Sequence, residues 1–125
     1  MIHLDTSALI AALTGARTAA PALRGFISDG MRVAISAPVL YEWERGPRNA
    51  LERNSREVLF PNQVVFGFNL DEALMAADLY RRMARPRGRE IDIAIAACAL
   101  TNGASLWTLN PRDFADIPGL VLATW

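Results

Sequence analysis

The sequence predicts an α/β fold of three layers, with helices on both faces of a mostly parallel central sheet. Two observations carry that reading. Short apolar runs alternate with longer stretches of helical period from residue 2 onward. Strands separated by helices pair in parallel, and a parallel sheet is covered on both faces. The chain has 125 residues and no linker, repeat or low-complexity segment, so a single domain over 1–125 is expected.

The elements follow in order. Ile2 to Asp5 reads as the first strand, with Asp5 where the strand should end. Thr6 or Ser7 caps the next helix, whose apolar face is Ala8, Leu9, Ala12 and Leu13, and Gly15 ends it. Residues 18–29 form a second helix with Leu23, Phe26 and Ile27 inward and Gly30 as its stop. "RVAIS", Arg32 to Ser36, is the second strand. Pro38 starts the helix "PVLYEWERG", and "PRNALERNSREVLF" resumes as helix after the Gly46-Pro47 break. "QVVFGF", Gln63 to Phe68, reads as the third strand. "NLDE" is a capping box, Asn69 with Glu72, opening a helix to about Ala84 with Ala73, Leu74, Ala77 and Tyr80 inward. "RPRGR" is a loop, and residues 89–102 form an alanine-rich helix stopped by Asn102-Gly103. "SLWTL" is the fourth strand, "NPRDF" a loop or single helical turn, and "GLVLATW" a last strand.

Composition removes several function classes. All 13 basic residues are Arg, they balance 13 acidic ones, and there is no Lys. A phosphate-binding Walker loop needs its Lys, and a phosphoacceptor receiver domain normally uses one. One Cys and one His cannot build a typical structural zinc site. His3 lies inside the first strand, pointing into the core, so it is no base for a Ser-His-Asp triad. A haloacid-dehalogenase phosphatase needs a second Asp where Ser7 stands. The single Cys98 permits no internal disulfide and reads as a small buried hydrophobe. No apolar run spans a bilayer and no signal peptide is visible, so the cytoplasm is expected and no membrane partner.

In open parallel sheets, function collects outside the carboxyl ends of the strands. Asp5 ends the first strand, and Asn110 and Asp113 follow the fourth. Glu42 sits one turn into the helix after the second strand, and Asp92 lies in the first turn of "REIDIAIAACAL". Ile91, Ala94, Ile95, Cys98 and Ala99 make that helix's buried face, with Ala96 and Ala97 allowing close packing. An acid between Ile91 and Ile93 is poorly placed for a simple solvent face. Acids sharing one edge repel and raise their own pKa values, so something cationic must compensate. An all-oxygen donor set suits Mg²⁺, or Mn²⁺, and not zinc.

"MIHLDTSALI", "SAPVLYEWERG", "DIAIAACAL" and "TLNPRDFADIPGL" resemble the acidic motifs of PIN-domain ribonucleases, nearest to the VapC toxins of bacterial toxin–antitoxin pairs. The resemblance runs from Ile2 to Leu120. It implies a Mg²⁺-dependent endoribonuclease leaving 5′-phosphate and 3′-hydroxyl ends, a cognate antitoxin and a homodimer. It implies Asp5 and Asp92 as the main metal ligands, with Glu42 helping to hold metal and orient the attacking water. Asn110, Asp113 and Asp116 all lie near the fourth position. Asp113 is expected to be the fourth carboxylate, one turn along a short helix begun by Pro111, with Asn110 as a hydrogen-bonding neighbour and Asp116 capping or facing solvent. Thr6 and Ser7 are expected to fix Asp5 by hydrogen bonds. RNA in preference to DNA rests on the resemblance alone.

A polyanion needs a basic rim around an acidic pocket. Arg82, Arg85, Arg87 and Arg89, with Arg81, lead directly into Asp92 and are the expected RNA contacts. Arg45, Arg48, Arg53 and Arg56 follow Glu42, and either phosphate contact or local ion pairing, such as Glu52 with Arg56, fits them. Tyr41, Trp43 and Trp107 are expected in packing rather than in base stacking, with Tyr41 and Trp43 also suited to lining a groove for an antitoxin helix. The competing reading is a PIN-like protein-binding module with a weak or lost nuclease site.

Overall fold

The structure, a computed structural model, describes residues 1–15 and 17–124. β1 (Ile2–Leu4) is central in a parallel sheet of order β2-β1-β3, with β2 at Val33–Ala34 and β3 at Ser105–Trp107. Ile2 pairs with Val33 and Ser105, and Leu4 with Trp107. All of β1 is buried, as a strand covered on both faces must be. His3 is part of that core, and burial lowers its pKa to about 4, leaving the ring neutral at pH 7.

Two expected strands shrink to single parallel bridges that flank the sheet, Ser36 with Phe66 and Leu106 with Leu122. Before Phe66 the chain closes a 3₁₀ turn over Asn62–Val64, which takes up backbone groups that a ladder would need. At the other edge Pro118 and the positive φ of Gly119 (77°) bend the chain, leaving the Leu106 backbone to bond Val121 and Ala123. Trp125, the end of that expected strand, lies outside the described residues.

The helices are α1 (Thr6–Leu13), α2 (Ala19–Ser28), α3 (Ala37–Arg45), α4 (Ala50–Leu59), α5 (Leu70–Arg82) and α6 (Glu90–Thr101). α6 is buried nearly all round, through Ile93, Ile95, Ala96, Ala97, Cys98 and Ala99, so it crosses the core rather than capping it. Ile91, expected inward, is exposed in its first turn, and Ile27 is exposed in the last turn of α2. Cys98 is buried, which pushes its thiol pKa up to about 11.

α5 turns the opposite way from expectation. Leu79 and Met83 are buried and Met75 and Ala76 partly so, whereas Leu74 is 61% exposed and Ala73, Ala77 and Tyr80 face outward. The helix carries two apolar stripes. Packing on α6, which offers small alanine side chains, selects one of them.

Three members of the Arg cluster after Glu42 have partners away from the acids. Arg56 is 3% exposed and donates to the Phe60 carbonyl (3.1 Å), Asn62 Oδ1 (2.7 Å) and Glu44 Oε1 (3.2 Å). Arg53 pairs with the other oxygen of Glu44, and the Arg48 guanidinium lies 4.4 Å from the Trp43 ring centre. Glu52 does not pair with Arg56. It closes the capping box of α4 with Asn49.

Candidate active site

Asp5 is placed by two elements at once. Its N–H donates to the Trp107 carbonyl (3.0 Å), continuing the β1–β3 pairing, and its own backbone is extended. The side chain then caps α1, Oδ1 accepting from the Ala8 N–H at 3.0 Å. Thr6 and Ser7, the expected caps, are already inside the helix. Ser7 Oγ donates to Asp5 Oδ1 (2.6 Å) and Thr108 Oγ1 donates to Asp5 Oδ2 (2.6 Å). Both carboxylate oxygens are therefore held, and Asp5 is 5% exposed.

Thr108 is a site residue that sequence reasoning missed. The register that pairs Leu4 with Trp107 puts Thr108 beside Asp5. Its hydroxyl also accepts from the Asn110 N–H (3.0 Å), and Ser7 Oγ accepts from the Leu109 N–H (3.0 Å). The available signal was two adjacent strand ends, each an apolar residue followed by a polar one, Leu4-Asp5 and Trp107-Thr108. Asn110 takes part here through its backbone.

Thr6 serves a different acid from the one expected. It donates to Glu42 Oε1 and not to Asp5. The second Glu42 oxygen accepts from Arg45 at 3.2 Å. Glu42 stands in α3, partly buried, so the α1–α3 contact sets its position.

Asp92, in the first turn of α6, lies within electrostatic reach of the other three acids. Its pKa is raised from 3.8 to about 6, first by burial, then by the charges of Asp113, Glu42 and Asp5, with Arg89 opposing. Asp113 closes the 3₁₀ turn Pro111–Asp113, begun by Pro111 as expected. Asp116 is exposed, as expected, and it is also paired. Its two oxygens accept from Arg89 at 2.8 and 2.6 Å, which holds its carboxyl below the usual carboxylate range. Arg89, expected among the RNA contacts, is thus engaged within the fold. Arg82 pairs with Asp78 at 3.0 Å, and Arg81 shares that acid at 3.6 Å. Arg85 and Arg87 are exposed and form no ion pair among the described residues. Trp43 and Trp107 are buried, the latter edge-on to Phe26 with ring centres 5.3 Å apart. Tyr41, expected in packing, is instead 55% exposed beneath the Arg45 guanidinium.

Among the described residues, no three His, Cys, Asp or Glu side chains converge closely enough to enclose a metal ion directly. Mg²⁺ does not require that: it keeps several waters and is commonly held through one or two carboxylates. An all-oxygen set of acids, with Asp92 raised first by burial and then by its acidic neighbours, fits such an ion. No helix among the described residues is long and apolar enough to cross a membrane.

The whole chain has relatives of known structure. VapBC2 from Rickettsia felis, bound to a DNA fragment from its promoter, superposes with a TM-score of 0.76 at 21% identity, covering 100% of this chain and 99% of that one. A toxin–antitoxin complex from Klebsiella pneumoniae gives 0.74 at 28% identity, over 97% and 96% of the two chains. DNA-bound VapBC from Salmonella typhimurium gives 0.74 at 25% identity, over 98% and 96%. No curated protein matches the sequence. The PIN domain family model matches residues 2–120, a span that contains Asp5, Glu42, Asp92 and Asp113, and the chain therefore belongs to the PIN domain family.

Proposed function

We propose that this chain is a Mg²⁺-dependent endoribonuclease that acts as the toxin of a toxin–antitoxin pair. The observation that carries the reading is the raised Asp92, whose acidic neighbours Asp113, Glu42 and Asp5 come from three other parts of the chain. Like charges within electrostatic reach of one another are costly, and phosphodiester chemistry with a divalent cation gives that cost a purpose. PIN membership and the toxin–antitoxin complexes among the structural neighbours support the same reading.

Asp5 and Asp92 would hold the cation directly, with Glu42 and Asp113 reaching it through water. When bound, the cation supplies Lewis acidity for a water nucleophile and offsets charge on the phosphate oxygens. Asp5 brings a carboxylate fixed by Ala8, Ser7 and Thr108, so little reorganisation is needed at that point. Thr6 and Arg45 would hold Glu42 in place to help orient the attacking water. Arg85 and Arg87, joined by half-exposed Arg82, receive flanking phosphates.

The expected partners are RNA, a second copy of the chain, and an antitoxin that puts a basic side chain into the acidic pocket, all in the cytoplasm. Purified protein should cut RNA with Mg²⁺ or Mn²⁺ and lose that activity in EDTA. Full cleavage in EDTA by the wild type, absent from an Asp5→Asn preparation, refutes the metal-dependent mechanism. A folded chain that cuts no RNA with either metal favours the protein-binding reading.

A further inference from the structure

Arg89 connects the two elements that carry Asp92 and Asp113. It is the residue immediately before α6, three positions ahead of Asp92. Nη2 donates to the Asp113 carbonyl at 2.8 Å and to Asp116 Oδ1 at 2.6 Å. Nη1 donates to Asp116 Oδ2 at 2.8 Å and to the Arg85 carbonyl at 3.2 Å. One planar fork therefore ties the arginine loop, the start of α6 and the turn bearing Asp113. A bidentate guanidinium–carboxylate pair is directional, and Lys cannot reproduce it.

The turn is also held by its flanks, by the Asn110 N–H on Thr108 Oγ1 (3.0 Å) before it and by buried Ile117 after it. It is three residues long, closed by Asp113 N–H to Asn110 and Phe114 N–H to Pro111 carbonyls, and Pro111, Arg112 and Asp113 are all exposed. Phe114, 2% exposed, anchors it to the core from below. An apolar anchor limits depth, but it does not fix rotation about the chain. The grip on the Asp113 carbonyl does.

We infer that Arg89 and Asp116 are positioning residues: their ion pair sets the place of the Asp113 carboxylate relative to Asp92, and so the affinity of the acidic cluster for a divalent cation. The inference rests on the reading of that cluster as a cation site. Asp116 touches no proposed ligand and acts by aiming Arg89. Without it, the guanidinium stands free beside Asp92 and Asp113, whose charges already act on it, and competes with the cation there. Both losses weaken cation binding.

The test is Mn²⁺ binding to the purified full chain, followed by electron paramagnetic resonance, for wild type, Asp5→Asn, Arg89→Lys and Asp116→Asn. Amide exchange over residues 110–117 and thermal melting are measured on the same preparations. Arg89→Lys and Asp116→Asn should bind Mn²⁺ about 10–100-fold more weakly, the range for removing a group that orients a ligand. Exchange over the turn should speed up while both variants remain folded. In cleavage assays the metal concentration for half-maximal rate should rise, with kcat largely restored at high metal. A purely structural role would lower the melting temperature and leave Mn²⁺ affinity within twofold of wild type, and that result overturns the inference. If wild type binds Mn²⁺ and Asp5→Asn does not, the cation-site reading stands whatever the two variants do. If wild type binds none, that reading fails and this one with it.

Discussion

Asp92→Asn should stabilise the metal-free protein at neutral pH. Burial and the charges of Asp113, Glu42 and Asp5 raise the carboxyl from 3.8 to about 6. Taken whole, that difference is worth about 3 kcal/mol against the folded state. Asp92 is only half-buried, and solvent screening reduces the figure to ~1–2 kcal/mol. The substitution also removes a favourable charge from the first turn of α6, a loss of ~0.3–1 kcal/mol. The net gain is about 1 kcal/mol, or ~3–6 °C in melting temperature for a domain of this size. The pH dependence follows from linkage. Between pH 3.8 and about 6 the folded chain keeps the Asp92 proton and the unfolded chain has lost it. The unfolded state then binds fewer protons, so the wild type loses stability as pH rises through that window. The advantage of Asp92→Asn should be absent below the window, grow through it and stay flat above it. Circular dichroism melts of both proteins in EDTA, from pH 4 to 8, measure that difference directly. An Asp92→Asn protein that melts at or below the wild-type temperature at pH 7.5 refutes the electrostatic account of the site.

Asp5 should behave in the opposite way despite belonging to the same cluster. Asp5→Ala removes the cap of α1 and leaves the Ser7 and Thr108 hydroxyls without their acceptor, so it should lower stability by ~1–3 kcal/mol by chemical denaturation, whereas Asp5→Asn should lose activity with a smaller change. Arg56→Met should cost several kcal/mol through lost bonds at Phe60, Asn62 and Glu44, yet leave Mn²⁺ affinity unchanged in protein that remains folded, and an altered affinity would place this cluster in the site after all.

The alternation of apolar runs and helical stretches was enough to determine the layer architecture, because a parallel sheet is the packing such an order allows. Asp5, Glu42, Asp92 and Asp113 could be proposed as candidates for a related reason: a strand end, a helix start and a turn opened by Pro111 are local signals for Asp5, Asp92 and Asp113, while Glu42 lies farther along α3. The Asn69–Glu72 capping box was equally local, and Glu72 accepts from the Asn69 N–H at 2.9 Å. What the sequence left open depended on contacts between distant segments. The inward face of α5 was decided by α6, since two stripes of similar hydropathy run along the helix and only a neighbour breaks the tie. The short flanking bridges arose where backbone groups were taken by a 3₁₀ turn and a Pro-Gly bend. Arg56 and Arg89 belong to clusters that look alike in the sequence as strings of Arg. Burial against Glu44 gave one a structural role, and a fork aimed at Asp116 gave the other a place beside the acids. A guanidinium carries the same charge wherever it stands. Its partner sets its role, and that partner lies 12 residues from Arg56 in one case and 27 from Arg89 in the other.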